Sequence, residues 1–149
     1  MAICSLLFAN VDWVAVLAAA MAQHFFSYFY YATLIAAPFT RLMANDKGVT
    51  DASKVVMRYD MLKCVLISFI ASIARALFII ATLNTLKLTA TAECKLCAYF
   101  DAALLVSAVT VIGSHADMWN QRHFKLQFFE ILGDVSSAVL AALVLYSQS

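Results

Sequence analysis

Charged side chains, glycine and proline are all scarce in this sequence. Of its 149 residues only 13% are charged, three are glycine and one is proline, whereas 64% are hydrophobic. A soluble domain of this size carries a much larger share of charged residues on its surface. The mean hydropathy of +0.87 therefore predicts an integral membrane protein. The scarcity of glycine and proline argues against a flexible linker, so a single domain over residues 1–149 is expected.

Other absences narrow the function. The net charge of +1 provides no basic surface, so no nucleic-acid partner is predicted. Residues 1–7 lack the basic start and the cleavage site of a secretory signal peptide. The sequence contains no glycosylation sequon, glycine-rich phosphate loop, nucleophile elbow or metal-ligand helix motif. We therefore predict neither an enzyme of ordinary type nor a metal site, and we expect lipid as the only small-molecule ligand.

Four apolar runs are present, at about residues 13–37, 62–83, 98–113 and 126–146. About 20 apolar residues cross the hydrocarbon core as a helix, so the fold class predicted is an all-α bundle of four transmembrane helices. The first and third loops carry most of the lysine and arginine. By the positive-inside rule these loops face the cytoplasm or matrix, and both termini lie on the opposite, non-cytoplasmic side. In the first loop, residues 45–48 predict a turn, and Thr50 or Asp51 a helix cap.

Four ionisable side chains interrupt the apolar runs: His24, Arg75, Glu130 and Asp134. An unpaired charge at the bilayer centre costs from about 3 to more than 10 kcal/mol. We therefore predict an ion pair between Arg75 and Asp134, with Glu130, one turn away, as an alternative or second partner, and His24 at the same depth. Such a layer either fixes the helices in place or conducts protons or ions. The first interpretation is favoured because the charges can neutralise one another.

Cysteine and histidine give weaker indications. Cys94 and Cys97 form a single CxxC motif, whereas a zinc site needs two more ligands. On the non-cytoplasmic side these residues can form a disulfide with each other, with Cys4 or with a partner, or they can remain thiols. His24 has no second histidine at its depth, so haem ligation within the chain is not expected.

Two stretches resemble the domain-of-unknown-function family numbered 1761, a family of small four-helix membrane proteins. One begins at Val11, Asp12 and Trp13, and the other covers residues 121–134, with Lys125 and Leu126 leading into the last apolar run. The sequence departs from the family pattern in the first helix, where Tyr30 and Tyr31 precede a displaced proline. The resemblance implies fold and membrane location and leaves function open.

The absence of enzyme motifs and of a secretory signal leads to a hypothesis on function. We expect a non-catalytic accessory (supernumerary) subunit of a large energy-converting membrane complex, either a respiratory chain complex or an ATP synthase. Its partners would be other membrane subunits and lipids, in the mitochondrial inner membrane or, alternatively, a bacterial inner membrane. The competing hypothesis is a small transporter or a proton- or ion-conducting protein that uses the polar layer formed by His24, Arg75, Glu130 and Asp134.

Overall fold

The computed structural model describes residues 7–8, 11–87, 93–120 and 122–149, and regular structure in these ranges is entirely helical. The helices are α1 (Trp13–Phe29), α2 (Ala36–Asp46), α3 (Met61–Leu86), α4 (Lys95–Gly113), α5 (His115–Trp119) and α6 (Phe124–Ser147). A π-helix over Tyr30–Leu34 separates α1 from α2, and a 3-10 helix covers Ala52–Arg58. The all-α class is therefore confirmed.

Three helical stretches in the described ranges are long and apolar enough to cross a membrane: Met61–Leu86, Lys95–Asp117 and Phe124–Ser147. They correspond to the second, third and fourth apolar runs of the sequence. Lengths of 23 to 26 residues exceed the roughly 20 residues that the hydrocarbon core requires. An integral membrane protein with transmembrane helices agrees with these dimensions.

The first apolar run folds differently from the single helix predicted over residues 13–37. Helix α1 ends at Phe29, the backbone continues as the π-helix, and the chain bends at Ile35, where φ is −119° and ψ is 13°. Pro38 lies in the first turn of α2. A proline there removes no helical hydrogen bond, because the first amides of a helix have no intrahelical acceptor. Pro38 therefore follows the start of a new helix, whereas the sequence suggested that it ended the old one.

The first loop contains the turn and the helix cap that its sequence predicted. Helix α2 ends at Asp46, and the turn that follows contains Gly48 with φ of +62°, a left-handed conformation that favours glycine. The Asp51 carboxylate accepts the amide of Ser53 at 3.0 Å and caps the 3-10 helix. The predicted turn and the predicted Asp51 cap are both present.

Small residues fill the interior, and large apolar residues cover the outside. Helix α1 packs against α3 and α6, and α4 packs against the same two helices. The core consists mainly of alanines on these helices, among them Ala15, Ala19, Ala76, Ala98, Ala102, Ala103, Ala138, Ala141 and Ala142. Exposed positions include Phe25, Ile67, Ile70, Val109, Ile112 and Phe128. Small residues let helix backbones approach closely, which is the packing found inside membranes.

The π-helix and α6 also approach each other closely. The Tyr30 hydroxyl donates a hydrogen bond to the Phe129 carbonyl at 3.1 Å. A methyl group at Gly133 would lie 2.8 Å from the Tyr31 hydroxyl oxygen and 3.0 Å from the Tyr30 ring. Only glycine fits there without displacement of the two tyrosines. This contact fixes α6 at the residue immediately before Asp134.

Candidate functional site

An ion pair joins the middle of α3 to α6. The Arg75 guanidinium donates to the Asp134 carboxylate with an Nη2–Oδ1 distance of 2.6 Å. The Arg75 side chain is 17% exposed and the Asp134 side chain 42%. Hydrogen bonds between ionised partners are both shorter and stronger than neutral ones. The contact that the sequence predicted between these two residues is present.

Gln23 extends this ion pair to a third helix. Its side chain is completely buried, and its amide nitrogen donates to the Ala19 carbonyl at 3.2 Å and to the Ser72 carbonyl at 3.1 Å. Its amide oxygen accepts from Arg75 Nη1 at 3.4 Å. We call Gln23, Arg75 and Asp134 the polar layer, because hydrogen bonds connect them across α1, α3 and α6.

The sequence reasoning missed Gln23, although a signal for it was present. Gln23 follows Ala19 and Ala20 by four and three residues, so it continues the small-residue face of α1. A polar side chain on the face that packs against other helices must find a partner there, since unsatisfied polar groups are costly in an apolar interior. The position of Gln23 on the packed face of α1 was therefore a better indicator of its place in the polar layer than the presence of a charge would have been.

His24 was predicted in the layer but lies outside it. Successive residues of an α-helix point about 100° apart, so His24 cannot share the direction of Gln23. Its ring packs edge-on against Phe69 of α3, with the centroids 5.9 Å apart. Its Nδ1 atom is buried and has no hydrogen-bond partner among the described residues.

Glu130 was predicted as an alternative or second partner of Arg75, and it pairs instead with Arg122. The two side chains form a bidentate contact with N–O distances of 2.7 and 2.9 Å, and Asp117 lies 3.5 Å from the same guanidinium. Arg122 lies two residues before the start of α6, and Glu130 is one helical turn nearer to that end of the helix than Asp134 is. Partial burial acts to lower the pKa of Arg122, but the hydrogen bond and charge of Glu130 outweigh it and raise that pKa.

A cavity of about 260 Å³ lies between α4 and α6. Its lining consists of Thr110, Gly113, Ser114, Asp117, Gln127, Glu130, Ile131 and Asp134. Most of these side chains are polar, and the Gln127 amide donates to the Ser114 carbonyl at 2.9 Å. The lining runs from residues beside the 114–123 connection to Asp134 near the middle of α6. The volume and polarity suit several water molecules, which need polar partners of this kind.

Cys94 and Cys97 are joined by a disulfide at the start of α4. Of the alternatives that the sequence left open, the structure therefore has these two cysteines bonded to each other. Cys94 is the N-cap of the helix, and its sulfur accepts the Cys97 amide at 3.2 Å. Cys64 in α3 is a free, exposed thiol, and Cys4 lies outside the described residues. Within the described ranges no group of three or more histidine, cysteine or acidic side chains is arranged to hold a metal ion.

Comparison with known proteins gives no relative: no family model, no curated protein and no solved structure matches this chain. The resemblance to family 1761 stays a prediction from two short stretches. One of them begins at Gln121, which lies outside the described residues.

Proposed function

We propose that this protein is a non-catalytic accessory subunit of a large multi-subunit membrane complex, in which it stabilises assembly. The observation that supports this most directly is the pairing of Arg75 with Asp134 and Gln23. A proton path needs a group that can release and accept a proton, whereas an arginine remains charged and gives a carboxylate a permanent partner. A layer composed in this way is suited to fixing the positions of helices.

The arrangement in the membrane is part of the proposal. Helix α1 has 17 residues, and the π-helix that follows adds five without a break in the helical backbone. Together they reach roughly 30 Å, enough to cross the hydrocarbon core as a fourth span. With four spans, and with the basic loops on the cytoplasmic or matrix side, both termini lie on the other side. A respiratory chain complex or ATP synthase of the mitochondrial inner membrane is the proposed setting, with a bacterial inner membrane as the alternative.

The outer surface supports association with lipids and with other membrane subunits. Large apolar side chains are exposed on α1 and α3, among them Trp13, Val14, Phe25, Tyr28, Leu62, Leu66, Ile67 and Ile70. In water a continuous apolar surface of this extent would aggregate. In a bilayer the same surface is in its preferred solvent and remains available for contacts with neighbouring helices.

Native-size analysis of the tagged protein, extracted from its own membrane in mild detergent, tests the proposal. We expect it to migrate with a complex of many subunits, and we expect Asp134→Asn to abolish that migration while Gly113→Ala, a change at an open position, leaves it intact. Migration of the unaltered protein alone, as a single chain or a symmetric oligomer, would refute the accessory-subunit role.

One observation favours a second candidate, a proton- or ion-conducting module. Polar side chains line the cavity between α4 and α6, and Asp134 is one of them. Intramembrane carboxylates beside such cavities often mark transport paths. Reconstitution in liposomes with a pH-sensitive dye distinguishes the candidates. A proton flux that Asp134→Asn removes and that Asp60→Asn, a change at an exposed position away from the cavity, retains would support conduction. Flux equal to that of empty liposomes would exclude it.

A further inference from the structure

The Cys94–Cys97 disulfide has a position that a structural crosslink does not explain. Both cysteines belong to the first turn of α4, and the bond joins residues only three apart. It therefore ties α4 to no other element of the fold. Closing so short a loop also removes much less freedom from the unfolded chain than closing a long one. The disulfide must contribute little to holding the helices together.

Its chemical environment favours reactivity. Cys94 is the N-cap of a 19-residue helix, and its sulfur accepts the amide hydrogen of Cys97. The helix N-terminus carries partial positive charge, and a thiolate formed at Cys94 would keep the amide contact. Both effects stabilise the thiolate over the thiol, and the thiolate is the reactive form. Cys94 and Cys97 are both exposed, so a partner sulfur can reach them.

We propose that Cys94 and Cys97 form a thiol–disulfide exchange site whose substrates are disulfides of proteins at the membrane surface. In the reduced pair, the Cys94 thiolate attacks one sulfur of the substrate disulfide. A mixed disulfide forms, and the other substrate sulfur leaves as a thiolate that takes a proton from solvent. Cys97 then loses its proton and attacks Cys94, which restores the Cys94–Cys97 disulfide and releases the second substrate thiol. Two electrons pass from the pair to the substrate, and the reverse sequence oxidises a substrate dithiol.

The fold places this site at the edge of the bilayer. The candidate membrane span that contains α4 begins at Lys95, between the two cysteines. The sulfurs therefore lie at the end of a transmembrane helix, where a folded protein domain can approach. The exchange chemistry does not depend on the accessory-subunit role. Only the compartment, the oxidising side of the membrane, rests on the orientation proposed above.

The test uses the full chain in mild detergent, with Cys4 and Cys64 replaced by serine so that two cysteines remain. After reduction, the rate of iodoacetamide alkylation is measured against pH for each cysteine. We expect Cys94 to titrate at least one pH unit below the ordinary cysteine value of about 8.5, and at pH 7 to react about tenfold faster than Cys64 does in the otherwise unaltered protein. Titration of Cys94 at the same pH as exposed Cys64 would overturn the proposal.

A second measurement tests whether Cys94 is the attacking cysteine and Cys97 the resolving one. Insulin serves as a disulfide-containing protein probe, and Cys97→Ser is compared with Cys94→Ser. Cys97→Ser should trap a mixed disulfide through Cys94, because the residue that resolves it is missing. Cys94→Ser should trap several-fold less. Equal trapping by the two variants would show ordinary thiol reactivity and no exchange site. Circular dichroism of each variant verifies that the helices are retained.

Discussion

Two arginine–carboxylate pairs in this protein have similar chemistry and different surroundings. Arg75 and Asp134 are 59 residues apart in sequence and join α3 to α6 through a contact of 2.6 Å. Arg122 and Glu130 are eight residues apart and meet beside the connection between α5 and α6. The first pair, extended by Gln23, determines how three helices sit against each other. The second fixes only the start of one helix.

In the proposed membrane arrangement, the two pairs differ in their depth. A charge near the bilayer centre has no water to replace a lost partner, so removal of one member leaves the other in an unfavourable environment. Exposure alone does not separate the pairs, since Arg75 and Asp134 are 17% and 42% exposed and Arg122 and Glu130 are 25% and 30% exposed. The difference is position, because the second pair lies near the end of a span. Water and lipid headgroups can solvate either one if its partner is lost. Loss of a partner should therefore matter far more in the polar layer.

The largest effect is expected when the polar layer loses one charge. Arg75→Gln or Asp134→Asn should lower the free energy of unfolding by about 3–5 kcal/mol, since each leaves an uncompensated charge in the middle of a proposed span. The double variant Arg75→Leu with Asp134→Leu should recover much of that loss. Unfolding in mixed detergent micelles, followed by circular dichroism, measures all three. Single variants no less stable than the double variant would show that the pair carries no such penalty.

A smaller loss is expected at the glycine that precedes Asp134. Gly133→Ala places a methyl group 2.8 Å from the Tyr31 hydroxyl oxygen, so the side chains of Tyr30 and Tyr31 must move away from α6. Overpacking of this kind costs about 1–3 kcal/mol. Gly113→Ala is the matched control, because a methyl group there meets nothing within 4 Å. The same unfolding assay applies, and equal stability of the two variants would contradict the close approach of the π-helix to α6.

A still smaller effect is expected at the loop-side pair. Glu130→Gln should change the free energy of unfolding by less than about 1 kcal/mol, because ion pairs that water can reach at the end of a span contribute little. Measured beside Asp134→Asn, it isolates depth as the variable, since each change removes one carboxylate from an arginine. A loss at Glu130 as large as that at Asp134 would mean that both pairs are desolvated to the same extent, and the contrast between them would disappear.

Composition predicted the all-α class, and the cost of an unpaired charge in lipid predicted the central ion pair. The apolar runs identified α3, α4 and α6, and the expense of isolated charges in lipid was enough to bring Arg75 and Asp134 together before any geometry was known. Both inferences depend on the large free-energy cost of placing apolar residues in water or isolated charges in lipid, and few arrangements of the chain avoid that cost. The Asp51 cap followed for a similar reason, because a short polar side chain before a helix has few other roles.

Local direction was beyond what the sequence could reveal. His24 and Gln23 are neighbours in sequence, and only the rotation of α1 decides which one reaches Arg75. Arg122 pairs with Glu130 because the chain folds back at the start of α6. The lengths of the apolar runs do not predict that bend. The π-helix after Phe29 was equally hidden, and so was the packing of its Tyr30 and Tyr31 on Gly133.

The smallest effect on stability is expected at Asp60, an exposed carboxylate outside the predicted spans. Asp60 caps α3, and its hydrogen bond with the Lys63 side chain, 3.0 Å away, lowers its pKa below the ordinary value. A carboxylate with a lowered pKa in the folded state stabilises the protein above about pH 4, the pKa of an unfolded aspartate. That contribution is lost as the pH falls through the folded-state pKa.

Asp60→Asn should therefore lower the unfolding midpoint slightly at pH 7, by less than Glu130→Gln does. The difference from the unaltered protein should shrink toward zero near pH 2, where both side chains are neutral. A difference that stays constant over this range would mean that the charge of Asp60 contributes nothing, and that its cap acts only as a neutral hydrogen-bond acceptor.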